Sequence, residues 1–161
     1  MTAFWEGNRT QLAACKSLIH LLETRLRPSG QLGSMKTTIL SIEDIKAIIS
    51  QVGLDTLMDE MITRLDDAFQ TYDPSFTVTP TRAGFQYEQP HLGLVEWMPV
   101  MHSGKQVTIK VVGYHPENPN LHQLPTILST VSMYDTSCGH LIGMMDATFL
   151  TALRTGAASA V

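Results

Sequence analysis

The sequence predicts an α+β fold, with N-terminal helices packed on a largely antiparallel open sheet and a C-terminal helix closing the domain. Three observations predict it. Apolar residues recur at helical spacing from Ser41 to Phe69, the period turns to alternation after Pro74, and helical spacing returns after Asp146. A chain of 161 residues that is 43% hydrophobic and 16% charged can bury one core without disulfides or metal.

Residues 1–34 stand apart. "RTQLAACKSLIHLLETRLR" puts Leu12, Cys15, Leu18, Ile19 and Leu22 on one helical face, and "PSGQLGS" then breaks the pattern. This segment reads either as an extension preceding a domain that opens at Met35, or as an amphipathic helix tethered by a linker. Residues 35–161 form the domain proper.

Within the domain, "TTIL" is a short strand. Ser41 with Asp44 approximates a capping box, so a helix starts there and stops near Gly53. Leu54, Leu57, Met58, Met61, Ile62, Leu65, Ala68 and Phe69 recur at i, i+3 and i+4, giving a second helix ended by "YDP". Its methionines read as core. "TVTPTR", "GFQYEQ", "HLGLVEWMPV", "KQVTIKVVG", "LPTILSTVSMYD" and "HLIGMM" alternate and read as strands, with "HSGK" and "TSCG" as hairpin turns. Pro80 suits an edge strand or a strand start. Asp146 reads as the N-cap of a last helix from Ala147, and "LTALRTGAASAV" carries no C-terminal stop signal.

Charge narrows the function. Residues 1–34 carry four basic and two acidic side chains, and residues 35–161 carry seven basic and thirteen acidic. The resulting −6 on the domain argues against a nucleic-acid surface. No apolar run reaches the ~18 residues of a membrane span, and no signal-peptide core opens the chain. Cys15 and Cys138 have no metal-like or disulfide-framework spacing, so a cytoplasmic setting without a metal is the expectation. No P-loop, GxGxxG or GxSxG is found.

Scarcity points to the site. Between Asp73 and Val161 the cations are Arg82, Lys105, Lys110 and Arg154. Lys105 sits in a turn. The other three fall in segments expected to be buried, where each needs a partner or an anion. Internal salt bridges to Glu88, Glu96 or Asp135 are one answer. A pocket for a carboxylate is the other, since Arg binds it bidentately and Lys adds a point charge. His115 and His122 share a Pro/Asn-rich loop, where His115 reads as a loop hydrogen-bonder.

"GLVEWMP", "IKVVGYHPENP", "LPTILSTVSMYD" and "GMMDATFLTALRTGAASA" come in the order and spacing of the ornithine cyclodeaminase/mu-crystallin family, which the chain resembles from Ile39 to Val161. The resemblance implies a substrate-binding and dimerisation domain followed by a Rossmann NAD(P)-binding domain, with this chain ending before the latter. By position, Arg82 resembles the family's first carboxylate-binding arginine. Lys110 resembles the lysine at the substrate carboxylate and imine region, and Arg154 the arginine shared between substrate and cofactor. Thr126 resembles a threonine that touches the nicotinamide, and Glu96 an acidic position lining the pocket. Gly113 and Gly156 depart from the usual Asn and Ala.

The implied activity is NAD-dependent conversion of L-ornithine to L-proline with release of ammonia, by a homodimer. Ketimine reductase, alanine dehydrogenase and a non-catalytic dimerisation or binding remnant are the alternatives. The family's catalytic aspartate lies in the Rossmann domain, so the chain alone is expected to hold no cofactor and to be inactive.

Overall fold

A computed structural model of the protein describes residues 36–161. The helix considered within residues 1–34 lies outside the described residues. The domain is α+β, as the sequence predicts: four helices and one mixed sheet of seven strands among the described residues.

Strand β1 (Thr38–Leu40) leads into helix α1 (Ile42–Val52) and helix α2 (Leu54–Gln70). Strands β2 (Thr77–Val78), β3 (Ala83–Tyr87), β4 (Gly93–His102) and β5 (Gln106–Tyr114) follow. A short helix α3 (Asn118–Leu121), strands β6 (Ile127–Asp135) and β7 (Leu141–Asp146), and helix α4 (Thr148–Ala157) complete the domain. The sheet order is β1-β7-β6-β5-β4-β2, with β3 also on β4. Every pairing is antiparallel except β1 with β7.

Local chemistry accounts for the boundaries. The Ser41 side chain accepts from the Asp44 N–H while the Asp44 carboxylate accepts from the Ser41 N–H at 2.8 Å, a reciprocal capping box that starts α1. Ser41 holds the Asp44 carboxyl below its ordinary range by donating to it through hydroxyl and backbone. Leu57, Met61, Leu65 and Ala68 form the buried stripe of α2, so the methionines are core residues. The turns at 103–105 and 136–139 join β4 to β5 and β6 to β7, as their sequences suggest.

Four details depart from the sequence reading. The "TVTPTR" strand stops at Val78, and Thr79–Arg82 leave the sheet because Pro80 has no N–H to offer a ladder. The last helix begins one residue later than predicted, with Ala147 at its N-cap position. Asp146 still accepts from the Thr148 N–H at 3.0 Å. That helix ends at Ala157 rather than running to Val161. The Pro/Asn-rich loop contains α3, pinned by the buried Asn118, whose amide donates to the Pro125 carbonyl at 3.1 Å.

The three long helices lie on one face of the sheet. Their core joins Ile45, Leu57, Met61, Leu65, Leu153 and Ala157 to Val131 and Met145 of the sheet. The ladder carries this face across to Lys110 and Met98, since Met145 pairs with Val131, Val131 with Lys110, and Lys110 with Met98. The opposite face carries Ile39, Met144, Ile109 and Trp97, with Phe85 against Trp97 at 5.4 Å between ring centroids. No helix packs there among the described residues, and Ile39 and Phe85 are about two-thirds exposed, at 70% and 68%.

Candidate functional site

Strand alternation decides which side chains share the helix-covered face. On β4 these are Glu96, Met98 and Val100, on β5 Thr108, Lys110 and Val112, and on β6 Ser129, Val131 and Met133. Lys110 lies in β5, an interior strand between β4 and β6, and is 7% exposed, as its β-branched flanks predict. Its direct partners across the ladder are Met98 and Val131, both apolar. A lysine so placed has its stem in the core, and its charge gains strength from the low dielectric around it.

Glu96 pairs with Val112, two residues from Lys110, so acid and lysine are diagonal neighbours on one face. Glu96 also meets Arg82: its Oε2 lies 3.8 Å from an Arg82 guanidinium nitrogen. That separation is an ion pair but too long for a hydrogen bond, so the planar fork of Arg82 is not tied to the acid. Arg82 corrects the expectation of burial. Its side chain is 47% exposed, because the break at Pro80 places it in the open segment ahead of β3. Of the salt-bridge partners considered from sequence, Glu96 is found beside Arg82.

Arg154 comes from the other layer. Helix α4 is fixed to β6 by the Ala147 N–H on the Ser129 carbonyl at 2.8 Å and by the Ser129 N–H on the Thr148 hydroxyl at 3.1 Å. The Thr151 hydroxyl donates to the Ala147 carbonyl at 2.7 Å, which leaves the Ser129 hydroxyl to donate to Thr151 at 2.8 Å. Arg154 follows Thr151 by three residues and so neighbours it on the helix surface, half-buried. Leu153 and Ala157 meanwhile face the core with α2.

Thr126 sits just before β6, half-buried, and its carbonyl accepts from the His115 N–H at 2.9 Å. The His115 ring is a loop hydrogen-bonder, as the sequence suggests, joined through Nε2 to the Tyr87 hydroxyl at 2.6 Å. The fold thus brings Glu96 to Arg82 and sets Lys110 beside them on the same face. It hangs Arg154 one turn beyond the Ser129–Thr151 contact, and holds Thr126 through a separate link to β3.

Sequence reasoning missed Ser129, Gly84 and Tyr87. Ser129 is 4% exposed at an inward position of an otherwise apolar strand, and that break in the pattern was its signal. Among the described residues no group of three or more His, Cys, Asp or Glu could hold a metal, and no helix is long and apolar enough to cross a membrane. None of the described glycines forms a glycine-rich turn from a parallel strand into a helix, so a dinucleotide pyrophosphate cradle is not among these residues.

Comparison with known proteins identifies the family. The family model of the ornithine cyclodeaminase/mu-crystallin family matches residues 43–161. An L-lysine cyclodeaminase of Streptomyces rapamycinicus is 41% identical over 79% of this chain and 37% of its own length. An alanine dehydrogenase of Archaeoglobus fulgidus is 32% identical over 79% of this chain and 36% of its own length. An ornithine cyclodeaminase of Brucella abortus is 30% identical over 76% of this chain and 32% of its own. The chain thus spans about a third of the length of these relatives.

A lysine cyclodeaminase solved for its recognition of L-lysine, L-ornithine and L-2,4-diaminobutyric acid superposes with a TM-score of 0.70 at 41% identity, covering 78% of this chain and 37% of that one. An archaeal alanine dehydrogenase dimer with bound NAD superposes at 0.61 with 32% identity, covering 76% and 34%. With its residues matched from Glu43 to the last position, the chain belongs to the ornithine cyclodeaminase/mu-crystallin family.

Proposed function

We propose that residues 35–161 are the substrate-binding and dimerisation domain of an NAD(P)-dependent cyclodeaminase, acting on an L-amino acid with a second amine and converting L-ornithine to L-proline and ammonia. The observation that carries this reading is a buried lysine beside an arginine–glutamate pair on one sheet face. Such a set matches a zwitterion. Arg82, Lys110 and Arg154 receive the α-carboxylate, with the arginine forks fixing its plane, and Glu96 receives an ammonium group. On the sheet stretch beside Lys110, Glu96 is the carboxylate on that face, which favours a substrate with two amines.

The cations have a second effect. Positive charge at the α-carboxylate favours the neutral α-amine over the ammonium, the form from which the α-hydrogen can leave with its electron pair. A bound nicotinamide would supply the reversible hydride acceptor that this chemistry needs. Thr126 and Arg154 are the residues here that would meet it. Clamping the carboxylate orients the α-carbon for that transfer.

The uncovered sheet face, with Ile39, Met144, Trp97 and Phe85, supports homodimerisation, because an exposed apolar patch of this kind marks an interaction surface. The similarity to an alanine dehydrogenase keeps a monoamino acid as the second reading.

A chimera tests the choice. Residues 36–161 replace the matching third of the Streptomyces rapamycinicus lysine cyclodeaminase, and ammonia release is assayed with NAD and L-ornithine, L-lysine or L-alanine. Turnover of ornithine or lysine is expected, with Arg154→Leu removing it. Turnover of alanine alone transfers the reading to alanine dehydrogenase, and unchanged KM and kcat in Arg154→Leu refute the carboxylate clamp.

A further inference from the structure

Gly84 is the one small residue facing the site from β3, and it pairs with Glu96 across the ladder. Its backbone is not in the left-handed region, so strand geometry alone does not require glycine there. The approach of β4 does. A Cβ at position 84 would lie 2.5 Å from the Val95 carbonyl oxygen, 2.9 Å from Cα of Glu96 and 2.9 Å from its Cγ. Two of those three contacts are backbone and cannot swing aside, so a side chain at 84 must part the strands or turn the Glu96 stem away. With glycine, that stem lies over bare backbone, and its carboxylate reaches Arg82, two residues before Gly84.

We propose that Gly84 is a specificity-determining position that acts through Glu96. By leaving its face bare, it holds the Glu96 carboxylate at the Arg82 end of the site, where that carboxylate receives the distal ammonium of a diamino acid. The inference rests on the reading of the site given above, and deepens it. Alanine at 84 turns the Glu96 stem and removes the preference for a second amine. Arg82, Lys110 and Arg154 are left in place, so affinity for the shared carboxylate persists.

L-Ornithine and L-norvaline share a five-carbon skeleton and differ in the distal amine, so the ratio of their dissociation constants isolates it. The ratio is measured by NMR titration of the labelled 161-residue chain. The wild-type chain is expected to bind ornithine roughly ten-fold more tightly, the scale of one charge-assisted hydrogen bond. Gly84→Ala brings the ratio to unity while norvaline affinity stays within about two-fold, and so does Glu96→Gln. Adding Gly84→Ala to Glu96→Gln changes the ratio no further, because one residue acts through the other.

A ratio that survives Gly84→Ala overturns the inference, and so does equal weakening of both ligands. Should Gly84→Ala fail to fold, Glu96→Asp withdraws the carboxylate by one methylene with Gly84 intact. Loss of the ratio then supports the inference, and its retention overturns it. Failure of the wild-type chain to bind either ligand overturns the carboxylate site itself, and equal wild-type binding of both overturns the role given to Glu96. Those two results are thus distinct from a failure of Gly84 alone.

Discussion

Replacing Gly93 with alanine is the most informative perturbation outside the charged cluster. Gly93 pairs with Tyr87 at the start of β4, and a Cβ there would sit 2.6 Å from His115 Nε2 and 2.6 Å from Tyr87 Cε2. Those two rings are joined by the 2.6 Å Tyr87–His115 hydrogen bond, so the new methyl group wedges between the partners. Overpacking of this kind costs roughly 1–3 kcal/mol, and loss of the bond adds about 0.5–1.5 kcal/mol. Opposing this, alanine stiffens the unfolded chain and returns about 0.4–1 kcal/mol, since the backbone of Gly93 is not left-handed. The steric effect wins, leaving a net destabilisation of roughly 0.5–4 kcal/mol.

The assay is urea unfolding followed by circular dichroism, run for Gly93→Ala alone and in a His115→Ala background. In that background one of the two clashing rings is gone, and the cost of Gly93→Ala falls by about 1 kcal/mol or more. The Thr126 amide resonance shifts with the single mutant, because the His115 N–H holds the Thr126 carbonyl. A single mutant within about 0.5 kcal/mol of wild type, or an equal cost in both backgrounds, refutes the reasoning.

Further outcomes follow from the same geometry. Thr151→Val deprives the buried Ser129 hydroxyl of its acceptor, costing about 1–3 kcal/mol by thermal unfolding. It loosens α4 and weakens carboxylate binding through Arg154. Leu65→Ala, at a fully buried position of α2, costs roughly 2–5 kcal/mol without altering the relative affinities of ligands. The Asp44 carboxyl is held low in the fold, so it stabilises the domain above the ordinary carboxylate range and loses that effect as pH falls through its folded value. Ser41→Ala removes the hydroxyl and lets the Asp44 titration midpoint, followed by NMR, rise toward an ordinary aspartate. The domain then unfolds at a higher pH on acidification.

Most of the secondary structure is legible in the sequence, because period-2 and period-3.6 patterns report directly on which side of each residue is covered. The capping box at Ser41 and the stripe of α2 depend on neighbours a turn away, and both are read correctly. Lys110 is found because a cation among β-branched residues is an anomaly that local sequence exposes. Arg82 is misread for a reason of the same locality. Its segment alternates like a strand, but Pro80 ends the ladder and leaves the arginine at an open edge.

What escapes sequence reading depends on distant partners. The parallel join of β1 to β7 brings Leu40 beside Met145. The bare faces of Gly84 and Gly93 matter only because β4 and His115 come within contact of them. The buried Ser129 has meaning once α4 lies across it. None of these is written in a window of neighbouring residues.

The proposed site places an amino-acid carboxylate on the Lys110 face of the sheet. Val111 and Val112 are adjacent in sequence and point to opposite faces, so each serves as the other's control. A methyl-resolved NMR map of the chain titrated with L-ornithine therefore gives the most direct test. Shifts are expected at Val112 and Met98, abolished by Lys110→Met, with Val111 and Ile109 unmoved. Shifts confined to Val111 and Ile109, or a map that Lys110→Met leaves unchanged, would contradict it.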